Sequence, residues 1–163
     1  MNIKNLFGLI MCMLSMGVST KEYNYVDYSV EDSFDGGKVS LVLNTSSKEL
    51  SSSDWVERLF ICETAREFYC FSYPAVTFYV PKHGIRRDRR WVENGVFFMV
   101  LRKESIEIFG QTRVVWVIKA ARGDREDFFY YSERDGLLAF KHVGPEKNQV
   151  QFFMITGHSG FPR

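Results

Sequence analysis

The run Asp127-Phe128-Phe129-Tyr130-Tyr131-Ser132-Glu133-Arg134-Asp135-Gly136-Leu137-Leu138-Ala139-Phe140-Lys141-His142-Val143 decides the fold class. Aromatic and β-branched side chains suit a half-buried pleated surface. The polar break at Glu133–Gly136 has the residue types that close a tight turn. Two strands, 127–132 and 137–143, joined as a hairpin are the reading that follows.

The same alternation extends in both directions. Strand-like runs are expected at 23–29, 38–43, 59–63, 67–73, 76–80, 95–102, 105–109, 113–119 and 150–156. Gly-containing breaks such as Asp35-Gly36-Gly37, Phe109-Gly110-Gln111 and Arg122-Gly123-Asp124 separate many of them. Short strands spaced by turn signals imply an all-β fold, mainly antiparallel, either a sandwich or a partly closed barrel. At most one short helix fits, starting in Ser51-Ser52-Ser53-Asp54 with Ser53 or Asp54 as cap and Trp55, Val56 and Leu59 facing inward.

The first twenty residues have another character. Lys4 gives a positively charged start, residues 6–18 carry no charge, and Gly17, Ser19 and Thr20 are small enough for a signal peptidase. An apolar run of that length is too short for a membrane-spanning helix, which needs about 20 residues. Residues 1–20 are therefore expected to be a signal peptide and residues 21–163 a single β-rich domain, exported to the periplasm or beyond the cell. No transmembrane span is expected in the mature chain.

Export bears on the cysteines. Cys12 lies within the signal, which leaves Cys62 and Cys70 as an even pair in an oxidising compartment. A hairpin centred on Arg66 sets Cys62 opposite Cys70, within reach of a structural disulfide. Two sulfurs at this spacing match no zinc site, and no metal or cofactor is expected.

Charge narrows the function. Without residues 1–20 the chain has 20 basic and 20 acidic residues, since Lys4 is the only charge removed from 21 and 20. A globally basic nucleic-acid binder is not indicated. Locally the balance is uneven: residues 21–67 hold 10 acidic against 5 basic side chains, and residues 82–125 hold 11 basic against 5 acidic. The densest basic cluster is Arg86, Arg87, Arg89 and Arg90, followed by Trp91. Guanidinium groups grip carboxylates through paired hydrogen bonds, and Arg with Trp is a favoured combination at binding hot spots. These five residues are the candidate partner-binding site, and the expected partner is a protein with an acidic surface. The bland reading of the cluster is a solvated loop that keeps two strands apart.

The aromatic runs Phe97-Phe98, Phe128–Tyr131 and Phe152-Phe153 place rings on both faces of their strands. Both faces are therefore expected to be covered, by a second sheet, a loop or a partner.

Catalytic signals are weak, and no catalytic residue is assigned. Gly157-His158-Ser159-Gly160 resembles the nucleophile elbow G-x-S-x-G, but its second glycine comes one residue early. His83, His142 and His158 are the only histidines, and nothing in their spacing ties one to a serine and a carboxylate. The leading expectation is a small exported binding protein, inhibitor- or immunity-like and without catalysis. An envelope hydrolase using a histidine and a lipid- or glycan-binding β-barrel are the alternatives.

Overall fold

The computed structural model describes residues 21–28, 39–62, 67–85, 89–143 and 150–162. The expected signal peptide, Arg86 and Arg87 lie outside the described residues. Thirteen strands follow in chain order: β1 Glu22–Asp27, β2 Ser40–Asn44, β3 Glu49–Ser51, β4 Val56–Arg58, β5 Phe60–Ile61, β6 Phe68–Ser72 and β7 Thr77–Pro81. The second half of the chain adds β8 Arg90–Glu93, β9 Val96–Ile108, β10 Gln111–Arg122, β11 Arg125–Ser132, β12 Gly136–Val143 and β13 Val150–Ile155.

Every pairing is antiparallel, and no helix occurs among the described residues. Ten strands form one sheet in the order β4-β3-β2-β1-β13-β12-β11-β10-β9-β8, and β5-β6-β7 form a second. The strands from β8 to β13 succeed one another as a meander. β1 pairs with β13, Tyr25 facing Ile155, and so joins the early strands to that meander.

The hairpin of β11 and β12 is as the sequence implies, with Ser132 opposite Gly136. In β9, the expected runs 95–102 and 105–109 merge into one strand. Val100 faces Ile118 and Arg102 faces Val117, so Leu101 is the extra residue of a β-bulge. The bulge carries the ladder across the polar Arg102-Lys103-Glu104 stretch that reads as an interruption in sequence.

The short helix is absent. Residues 49–58 form the hairpin of β3 and β4, with Leu50 opposite Glu57 and a Ser52 N–H to Trp55 C=O bond of 2.9 Å closing the turn. Trp55 and Val56 are exposed, and only Leu59 is buried as expected. The physical reason is a competition between two uses of the same residues. Ser and Asp serve turns as readily as helix caps, and a single helical turn fixes several dihedrals for very few hydrogen bonds. β2 offers β3 a ladder at once.

The two sheets meet around Phe78 of β7, which has no solvent exposure. Its ring centre lies 5.4 Å from that of Phe71, 5.0 Å from Phe129, 6.0 Å from Tyr131 and 6.4 Å from Phe161. Tyr79 and Phe98 make a second contact between the sheets at 6.0 Å. Phe161 reaches this core because the segment after β13 is clasped to the β11–β12 turn. Leu137 N–H donates to Phe161 C=O and Gly160 N–H to Asp135 C=O, each at 2.7 Å. The Tyr25 hydroxyl donates to Leu137 C=O at 2.9 Å and accepts from Phe161 N–H at 3.3 Å. Burial pushes the Tyr25 phenol well above its usual range, so the hydroxyl keeps its proton.

Cys62 and Cys70 are bonded, with Cα atoms 5.1 Å apart. The register agrees with the sequence reading: Phe60 faces Ser72 and Ile61 faces Phe71, and the next pair along is Cys62 with Cys70. The cross-link closes a short loop, so replacing both cysteines by serine is expected to lower stability by about 2–3 kcal/mol, mainly by freeing the unfolded chain. Urea unfolding of the double variant against the oxidised parent measures this. A loss below about 0.5 kcal/mol would show that the link contributes little.

Candidate functional site

Among the described residues β8 pairs only with β9 and forms one edge of the large sheet. Arg89 and Arg90 lie at its start, both exposed. Side chains alternate across a strand, so Arg90 and Val92 share the outer face and Trp91 points the other way. The pairing continues this on β9, where Phe97 stands opposite Val92 and Met99 opposite Arg90. Val92 is 64% and Phe97 40% exposed. An apolar pair and two guanidinium groups therefore occupy one open edge.

Trp91 is buried. Its ring stacks on Phe98 with centres 5.4 Å apart and planes at 5°. Its indole N–H is enclosed and has no hydrogen-bond partner among the described residues. In this structure Trp91 stiffens the edge from inside and is largely hidden from solvent. Alternation explains this, because one of Trp91 and Val92 must face the core and the larger apolar ring gains more from burial.

The aromatic runs behave similarly. Phe98, Phe129 and Phe153 are buried, whereas Phe128, Tyr130 and Phe152 on the outer face are only half-buried. The expectation that both faces are covered fails at Phe97, which stays open. Elsewhere the rings shield one another and carry lysine stems. Tyr130 meets Phe152 edge-on at 5.7 Å, and Lys141 Nζ stands 5.9 Å above Phe128.

The histidines fall in three separate places. His142 Nδ1 and Asp127 Oδ1 form a half-buried pair at 2.6 Å on facing strands β12 and β11. Nearby Tyr73 has its phenol held above the usual range, first by burial and then by the charges of Asp127 and Glu57. His158 and Ser159 beside it are both exposed. His83 lines a cleft together with Glu133.

That cleft was not foreseen from sequence. It holds about 800 Å³ and lies at the seam of the two sheets. One wall comes from Ile61, Cys62, Phe68 and Tyr69 of the small sheet and its disulfide, with Lys82 and His83 of the following turn. The floor comes from Tyr23, Tyr131 and Phe161, with Glu133 at the rim. Chain segments far apart in sequence build it, so no local spacing could announce it. Of the aromatic runs only Tyr131 contributes. Among the described residues no group of three or more His, Cys, Asp or Glu is placed to hold a metal ion.

Searches against protein-family models, curated proteins and solved structures find no match for this chain.

Proposed function

We propose that the protein is an exported binding module that recognises another protein through the β8–β9 edge, in an inhibitor- or immunity-like role without catalysis. The observation that carries this reading is the coincidence at one open edge of exposed Arg89 and Arg90 with the exposed pair Val92 and Phe97. An unpaired edge offers its backbone groups to an added strand. Val92 and Phe97 supply apolar area for the centre of such a contact, and the arginines supply its charge.

The charge extends beyond the two arginines. β8, β9 and β10 together carry Arg90, Arg102, Lys103, Arg113, Lys119 and Arg122 against Glu93, Glu104 and Glu107, with Arg113 and Lys119 ion-paired to Asp135 and Glu126, so the surplus rests mainly on Arg90, Lys103 and Arg122. A field of that sign steers an acidic partner and raises its association rate. Export is supported by the character of residues 1–20 and by the bonded Cys62–Cys70 pair. No helix among the described residues is long and apolar enough to cross a membrane.

The test begins with a tagged chain lacking residues 1–20 and a cell-envelope extract, from which one stoichiometric partner is expected. Arg89→Glu with Arg90→Glu is then expected to slow association with that partner about tenfold at low salt. The difference should shrink as added salt screens the charges, and the dissociation rate should change little. Equal association rates for parent and variant across ionic strengths would refute the role given to this edge.

A further inference from the structure

The disulfide-walled cleft has a division of labour in its lining. Its floor is apolar and closed: Cys70 is fully buried, and Phe161, Tyr23 and Tyr131 are 4%, 5% and 7% exposed. The rim is polar and more open, with Lys21, Lys82, His83 and Glu133 around it. Among the described lining residues two ammonium groups stand against one carboxylate, and the Ile85 N–H donates to Glu133 Oε1 at 3.2 Å. Lys82 Nζ is held 5.3 Å above the ring of Tyr69, which stands at the cleft wall.

We infer that this cleft binds a free anionic amphiphile, its apolar body on the aromatic floor and its carboxylate, sulfonate or phosphate head at Lys82 and Lys21. Cavities of roughly 300–1,000 Å³ with a largely apolar lining and a few convergent polar groups are the usual form of small-ligand sites, and the volume of about 800 Å³ falls within that range. The excess of ammonium over carboxylate at the rim selects an anionic head over a neutral or cationic one. The Cys62–Cys70 bond pins one wall and the clasp of Phe161 fixes the floor, so little ordering is needed when a ligand enters. This site is separate from the β8–β9 edge, and its failure leaves the reading of that edge untouched.

The probe is dodecanoate, titrated into the oxidised protein by calorimetry below its micelle-forming concentration, with dodecyl maltoside as the neutral twin of equal chain length. Saturable one-to-one binding of dodecanoate is expected, with the maltoside at least tenfold weaker. Lys82→Glu is expected to weaken dodecanoate at least tenfold and Lys82→Gln severalfold, while Arg125→Glu, exposed at the end of β11 remote from Tyr131, binds as the parent does. Circular dichroism identifies any variant that fails to fold, and Lys82→Gln guards against that outcome for the reversal. Absence of saturable binding would overturn the inference. So would equal affinity for the neutral twin, or parent-like binding by both Lys82 variants. Co-sedimentation with phosphatidylglycerol vesicles without binding of monomeric dodecanoate would also overturn it, by showing a membrane surface as the target.

Discussion

Gly160→Ala is expected to destabilise the protein by about 3–5 kcal/mol, a large fraction of the stability of an ordinary domain. A methyl group at Gly160 would overlap the carbonyl of Leu137 and come within 3.1 Å of the Tyr25 hydroxyl. The obstruction is backbone, so no side-chain rotation relieves it. Separating the two segments stretches the Leu137–Phe161 and Gly160–Asp135 hydrogen bonds and disturbs both contacts of the Tyr25 hydroxyl. Each buried polar group left unpaired costs about 1–3 kcal/mol, and overpacking adds about 1–3 kcal/mol. Gly136, opposite, is equally tight: a Cβ there would run into the Gly160 carbonyl. Gly157 is the control, because nothing lies within 4 Å of its Cβ position. Gly157→Ala should stay within about 0.5 kcal/mol of the parent. Urea unfolding of both variants measures the difference, and near-equal midpoints would show that the clasp is not as tight as described.

Phe78→Ala is expected to cost about 3–5 kcal/mol through lost burial and the cavity left behind. Phe78 contacts rings from β6, β11 and the segment after β13, so it joins the small sheet to the large one. Its removal leaves Phe71, Phe129, Tyr131 and Phe161 without their common neighbour, and aromatic rings refill such a gap poorly. The near-UV circular dichroism of the variant should weaken along with its unfolding midpoint. Phe97→Ala removes the same side chain from a site 40% exposed and should cost far less, about 1 kcal/mol. Similar losses at the two positions would place the centre of the core elsewhere.

The features legible in the sequence were those set by local alternation. The β11–β12 hairpin and the Cys62–Cys70 pairing both follow from side-chain period and turn composition, and both stand in the structure. The β3–β4 hairpin was misread because its strands are three residues each and contribute only Leu50 to the core, too few for a period to show. The β9 bulge was misread as a break because an exposed strand on an outer sheet tolerates a charged stretch. Arg89 and Arg90 stand exposed as the charge pattern suggested, but the choice between Trp91 and Val92 for the inward position depends on what lies beneath the sheet. The cleft depends on distant segments meeting, which alternation along one strand does not encode.

The partnership of β1 with β13 sets a timetable for the molecule. Tyr25 needs Ile155 beside it and Phe161 above it, so the middle of the large sheet stays unfinished until residues 150–162 have left the ribosome. Until then β1 and β12 each lack a neighbour, and contacts so remote along the chain form slowly. A nascent chain in that state has an incomplete large sheet, and its bare edges at β1 and β12 need guarding until β13 arrives.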